Sequence, residues 1–179
     1  MASNLEGENI RLRALEPEDV NIMYRWENDT NVWKVSNTIA PFSKYMLRQF
    51  VENQRYDIFE TGQLRLIVET KADSRPIGAV DLFDIDPYNR RAGVGVLIYD
   101  GHDKRQGYAS ESLGLMILYA FQTLMLNQLY CNISASNMPS MGLFQAKGFT
   151  VIGLKKEWIK TTSDWLDEYM LQLINPNKR

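Results

Sequence analysis

Apolar residues recur at every second position in Ile10, Leu12 and Ala14, which predicts a strand over 9–15. Pro17, Glu18 and Asp19 follow, and a proline with two acids suits the first turn of a helix, whose positive dipole end favours negative charge. That helix is expected to reach about Asn28 and to bury Val20, Met23 and Tyr24. Ser43 is placed to cap a second helix carrying Met46, Leu47, Phe50 and Val51. Leu64, Leu66 and Val68 alternate as a strand over 64–70, and the composition of Ala72 to Pro76 predicts a turn. Strands are expected at 77–85 and 91–99, and the short connection from Asp86 to Arg90 favours their antiparallel pairing. After Gly107, the residues Ala109, Leu113, Met116, Ile117, Ala120, Phe121 and Leu124 fall at helical spacing. Leu129, Cys131 and Ile133 predict a strand over 128–134. A short helix over 138–147 is expected to end at Gly148, and two final strands lie near 150–160 and 167–174. The order β-α-α-β-β-β-α-β-α-β-β describes an α/β (α+β) domain with a mixed sheet.

Length and composition agree with this pattern. A chain of 179 residues suits one domain spanning 1–179, and 45% hydrophobic with 23% charged residues is ordinary globular usage. No repeat or linker interrupts it. A net charge of −2 supplies no global field for nucleic acid or an anionic membrane, and leans slightly towards a cationic substrate. The longest apolar-rich stretch, Ala109 to Leu126, is broken by Ser110, Glu111, Ser112, Gln122 and Thr123, short of the ~20 apolar residues that span a bilayer. Cys131 is the only cysteine, which excludes an intramolecular disulfide; with a start that does not resemble a signal peptide, this points to a cytoplasmic setting.

The chemistry concentrates after the strand at 91–99. A polar loop, Asp100 to Gln106, leads to Gly107 and the long helix. The first turn of a helix presents unpaired N–H groups at its positive end, an arrangement that binds anions. Gly107 has no Cβ to obstruct a phosphate, Ala109 is small, and Lys104 and Arg105 add positive charge. The same residues also fit a turn glycine and a solvated basic loop, so two readings stand at this level. The pattern is neither a kinase-type phosphate loop nor a dinucleotide fingerprint.

Lys104, Gly107 and Ala109 fill the frame of the acetyl-CoA signature of the GCN5-related N-acetyltransferases, with lysine where arginine or glutamine is usual. Asn137-x-x-Ser140-x-x-Leu143-Phe144-x-x-x-Gly148-Phe149 resembles that family's segment around the pantetheine arm. Ile77-Gly78-x-Val80-Asp81-Leu82, Arg90-Arg91-Ala92 and the opening Ile10 to Asp19 resemble the branch of ribosomal-protein and spermidine N-acetyltransferases. The resemblance covers nearly the whole chain. It implies a mostly antiparallel sheet of about seven strands, flanked by about four helices and splayed between 91–99 and 128–134. It also implies acetyl-CoA as co-substrate, without a metal. Backbone groups near Leu97, Ile98 and Tyr99 are expected to meet pantetheine. Lys104 and the amides of Arg105, Gln106, Gly107, Tyr108, Ala109 and Ser110 are expected to hold the pyrophosphate, with Asn137 and Phe144 near the thioester arm.

The implied reaction is direct attack of a primary amine on the thioester. Asp81 is the first candidate to take the amine's proton through water, or to act as a charge partner; Asp84 is the second. Many relatives donate a proton to the leaving sulfur from a tyrosine at the position that Phe144 occupies, which leaves Ser140, Tyr130 or a water for that task. Cys131 reads as a packed strand residue rather than a nucleophile, and His102 as a lone loop histidine without the partners of a triad or zinc site. Trp26, Trp33, Trp158 and Trp165 could line a cleft or fill the core. Glu16, Glu18, Asp19, Glu27 and Asp29 could attract a polyamine or serve as helix-start acids. The acceptor is a polyamine, a protein N-terminus or another small amine. The rival reading is an idle acyl-CoA-binding or regulatory module. Exposed sheet edges offer a surface for pairing into a homodimer.

Overall fold

The computed structural model describes residues 5–36 and 38–177. Seven strands, β1 (Ile10–Ala14), β2 (Leu64–Thr70), β3 (Pro76–Asp86), β4 (Arg91–Ile98), β5 (Gln128–Ser134), β6 (Thr150–Lys160) and β7 (Trp165–Ile174), form one sheet in the order β1-β2-β3-β4-β5-β7-β6. Every neighbouring pair is antiparallel except β4 and β5. Tight turns can reverse a strand, whereas a parallel pair needs a long crossover. Here that crossover carries helix α5 (Tyr108–Leu118), which continues into a wider turn over Tyr119–Thr123.

Strand periodicity sorts the core into two layers. One face of the sheet sends Leu66, Val80, Val94, Ile98, Leu129 and Ile133 against Leu113 and Met116 of α5 and Met141 and Phe144 of helix α6 (Met138–Ala146). The opposite face sends Ile67 and Ala79 against Val20, Met23 and Trp26 of helix α1 (Val20–Glu27) and Leu47 and Val51 of helix α3 (Lys44–Asn53). Leu113, Met116 and Leu129 have no exposed surface, and burying such a side chain contributes about 1.5–3 kcal/mol.

The described residues contain six α-helices rather than about four. The two unexpected ones, α2 (Thr30–Ser36) and α4 (Ile58–Thr61), are short and bury almost nothing, so no apolar period announces them. Each is begun by an aspartate: Asp29 accepts from the Asn31 N–H at 2.8 Å, and Asp57 from the Phe59 N–H at 2.7 Å. Ser43 caps α3 as expected, accepting from the Met46 N–H at 3.1 Å. In α1 the buried aromatic is Trp26, not Tyr24, because Trp26 lies one turn beyond Met23 on the inward face. Met46 likewise faces out while Leu47 and Val51 face in.

Candidate active site

Strands β4 and β5 pair over three positions, Arg91 with Gln128, Ala92 with Leu129 and Gly93 with Tyr130. Beyond these the ladder stops while both strands run on, to Ile98 and Ser134. Because the pair is parallel and joined at its starts, the gap opens towards the ends of both strands. The loop into α5 leaves one side of this mouth and the turn into α6 leaves the other, so two helix N-termini stand at the same opening.

The free edge of β4 can be read from its bonded edge. The Tyr99 N–H donates to the Ile77 carbonyl at 3.0 Å, and a Cβ on Gly78 would lie 1.9 Å from the Leu97 oxygen, so both Leu97 and Tyr99 turn their polar groups towards β3. Strand alternation then directs Val96 and Ile98 into the gap. Of the three positions expected to meet pantetheine, Ile98 is the one whose backbone faces the opening. Val96 joins it, and the Leu97 and Tyr99 groups are committed to β3. The reason is the two-residue period, which a three-residue window ignores.

Gly107 has φ +85°, a left-handed conformation that favours glycine. Its αL geometry turns the chain into α5 without a capping side chain. The Glu111 N–H bonds back to the Gly107 carbonyl at 2.9 Å. Among the described residues, none of the backbone N–H groups of Lys104, Arg105, Gln106, Gly107, Tyr108, Ala109 and Ser110 has a hydrogen-bond acceptor. A Cβ on Gly107 would meet nothing within 4 Å, so the space above the loop is open. This is a row of seven free donors at the positive end of an eleven-residue helix, with Lys104 and Arg105 exposed beside it.

On the far side of the mouth, Asn137 begins α6, its Oδ1 accepting from the Ser140 N–H at 3.3 Å. Ser140 is half-buried, and Phe144 lies one turn further along the same helix face. Phe144 is in the core, meeting Phe149 edge-on with ring centroids 5.0 Å apart.

Asp81 is held by Arg65 in a two-bond fork, Nε to Oδ1 at 2.7 Å and Nη2 to Oδ2 at 3.2 Å. The same guanidinium also pairs with Glu27, a residue of α1. Burial alone would lower the Arg65 pKa; attraction to Asp81 and Glu27 overrides this and holds it above its ordinary value. Each Asp81 oxygen therefore accepts a hydrogen bond from Arg65. Asp84 is exposed and accepts from the Tyr130 hydroxyl at 3.2 Å. Burial, reinforced by Asp84, raises the Tyr130 pKa. Tyr130 stands opposite Gly93, at the last paired position before the strands separate.

The other candidates fall into structural roles. Asp19 is buried against Arg13, with bonds of 2.8 and 2.9 Å, and Asp29 caps α2. Trp26 is in the core, stacked at a tilt 5.9 Å from Tyr99, and the Trp33 indole donates to the Glu27 carbonyl at 2.6 Å. Trp158 and Trp165 are exposed on β6 and β7. Burial pushes the Cys131 thiol up to about 12, so it carries no thiolate near neutrality. His102 is exposed in the loop. Two features escaped the sequence reading. Glu168 is buried on β7 and paired with Lys155, and Arg65 joins Glu27 to Asp81. Cross-strand register brings these together, and no local motif signals it. Among the described residues no group of three or more histidine, cysteine or acidic side chains could hold a metal, and no helix is long and apolar enough to cross a membrane.

This geometry has relatives. The chain is 29% identical over 171 residues, 95% of each protein, to an uncharacterized N-acetyltransferase, p20, of Bacillus licheniformis. Its fold matches spermidine N-acetyltransferase from Vibrio cholerae, solved in complex with CoA and spermine, with a TM-score of 0.85 at 21% identity over 94% of this chain and 96% of that one. A dodecameric structure of the Vibrio cholerae spermidine enzyme in an intermediate state matches with a TM-score of 0.77 at 23% identity, over 94% and 95% of the two chains. The family model for the acetyltransferase (GNAT) domain matches residues 9–150. A splayed parallel pair, a row of free amides at a helix start and a family match over most of the chain agree: this protein belongs to the GNAT acetyltransferases and is an N-acetyltransferase that uses acetyl-CoA.

Proposed function

We propose that acetyl-CoA lies along the β4–β5 gap, with its pyrophosphate on the amides from Lys104 to Ser110 and its pantetheine arm beside Val96 and Ile98. Asn137 and Ser140 face the arm from α6, and Phe144 forms part of the apolar floor. The observation that carries this reading is the conjunction of seven unpaired N–H groups with the separated strands.

The acceptor is a primary amine, entering from the sheet face that bears Asp81, Asp84 and Tyr130. Its nitrogen lone pair attacks the thioester carbonyl, the C–N bond forms, and the C–S bond breaks as the tetrahedral intermediate collapses. The ammonium proton passes to water, and the thiolate, steadied by a hydrogen bond from the Ser140 hydroxyl, leaves as such or takes its proton back from that water. A thiol of pKa about 8.5 already leaves well near neutrality, so this donor matters less than amine deprotonation. A lysine-like amine of pKa about 10.4 is neutral in roughly one molecule in a thousand at pH 7, and an α-amine near 8 in roughly one in ten. Asp81 sets the charge balance of the face through Arg65. Asp84, which has no cationic partner among the described residues, draws the protonated amine in. Polyamines, peptide N-termini and other small amines all meet this description, and CoA thiol release that depends on the amine tests it.

The same reading extends to assembly. β6 is one of the two edge strands and exposes Val151, Ile152, Leu154 and Trp158, a surface suited to a second copy of the chain. Light scattering on the purified protein measures that mass directly. A cytoplasmic setting accords with a single, buried cysteine.

A further inference from the structure

The phosphate-facing loop contains a buried acid immediately before its free amides. Asp103 is 6% exposed, and its neighbour Lys104 begins the row of unpaired N–H groups. A carboxylate here opposes the binding of any anion, because consecutive Cα atoms are about 3.8 Å apart and a partly buried charge is weakly screened. Yet Asp103 is not left bare. Arg75, at the end of the β2–β3 turn, grips it in a bidentate fork: Nη1 to Oδ2 at 2.8 Å and Nη2 to Oδ1 at 2.9 Å. Arg75 is itself held in place. Its N–H donates to the Thr70 hydroxyl at 3.2 Å, its carbonyl accepts from the Thr70 N–H at 3.0 Å, and its guanidinium also reaches Asp73 at 3.4 Å. The turn and the loop are 28 residues apart in sequence, and this fork joins them.

We infer that Arg75 is a positioning residue for cofactor binding: it neutralises Asp103, so that the amides from Lys104 to Ser110 can accept a pyrophosphate. This rests on the placement of acetyl-CoA given above. The fork lies between the loop and the start of β3, and Arg75 removes the electrostatic penalty of having an acid there. Hydrogen bonding to Arg75 lowers the Asp103 pKa, so the acid is ionised under ordinary conditions and its cancellation matters.

The test is calorimetric titration of the full chain with acetyl-CoA, using wild type, Arg75→Ala, Arg75→Lys and the double variant Arg75→Ala/Asp103→Asn. Arg75→Ala is expected to weaken binding about tenfold, equivalent to about 1.4 kcal/mol. Arg75→Lys keeps the charge and loses the fork, and is expected to retain most of the affinity. The double variant removes the stranded acid and is expected to recover most of the loss, a rescue that a purely structural role does not give. Wild-type affinity in Arg75→Ala, or a double variant as weak as Arg75→Ala, overturns the inference. A wild-type chain that fails to bind acetyl-CoA overturns the placement of the cofactor itself, so the two failures are distinct.

Discussion

Arg65 and Asp81 face one another across β2 and β3 and share two hydrogen bonds, at 2.7 and 3.2 Å, with Glu27 on the far side of the same guanidinium. An aspartate in this state has both oxygens engaged by one guanidinium and holds charge in place. Loss of a true general base lowers kcat about 10²–10⁴-fold. Asp81→Asn is instead expected to leave the pH profile of kcat unshifted and to lower stability by about 1–3 kcal/mol, because Arg65 loses half its partners. Denaturant unfolding and a pH–rate series on this variant check both parts. Arg65→Ala and Asp81→Ala are expected to be non-additive in a double-mutant cycle.

Gly107 occupies φ +85° with open space where a Cβ would stand. The cost of Gly107→Ala therefore comes from backbone strain and not from a clash, on the order of 1–2 kcal/mol. Gly107→Asp adds a negative charge at the mouth of an anion site and is expected to abolish measurable acetyl-CoA binding while the far-UV circular dichroism remains native. Thermal shift with and without saturating acetyl-CoA reads this, since a ligand of the native state must raise the melting temperature.

How much of this was legible in the residues varies with the kind of interaction. The seven strands and the helices with an apolar face were visible because period two and period 3.6 leave a mark on sequence. Residues 104–110 and Asn137 were visible because an unpaired helix start needs particular small or capping residues. Helices α2 and α4 were not, since they bury almost nothing beyond Val32 and are begun by Asp29 and Asp57 without an apolar period. The Arg65 fork, the Arg75–Asp103 fork and the Lys155–Glu168 pair were equally hidden, because each joins elements through register or loop packing. Asp81 illustrates the consequence: its strand was readable, and its pairing with Arg65, sixteen residues away, was not.

Asp84 is exposed, bonded to Tyr130 and without a cationic partner among the described residues. Asp84→Asn is expected to raise KM for the amine several-fold, with the larger effect at low ionic strength, where exposed charges are least screened. Steady-state kinetics at two salt concentrations measures the difference. An unchanged KM at low salt removes Asp84 from the acceptor site.

Cys131 is buried, and its thiol is pushed up to about 12 by burial. The sign of its pH linkage follows. An unfolded cysteine ionises near 8.5, so between about pH 8.5 and 12 the unfolded chain sheds a proton that the folded chain keeps, and stability falls as pH rises through that window. Cys131→Ala is expected to flatten this alkaline loss in pH-dependent unfolding, at the cost of a small cavity. The native protein is expected to resist a thiol reagent at pH 8 and to react with one equivalent after denaturation.

The central claim is that the splayed strands and the free amide row serve acetyl transfer to an amine. The most direct measurement is release of CoA thiol from acetyl-CoA in the presence of a panel containing spermidine, peptides with free N-termini and simple primary amines. The account predicts turnover that saturates in at least one amine, rises with pH as that amine loses its proton, and yields the acetylated amine by mass spectrometry. Tight acetyl-CoA binding with no amine-dependent thiol release across the whole panel would contradict it.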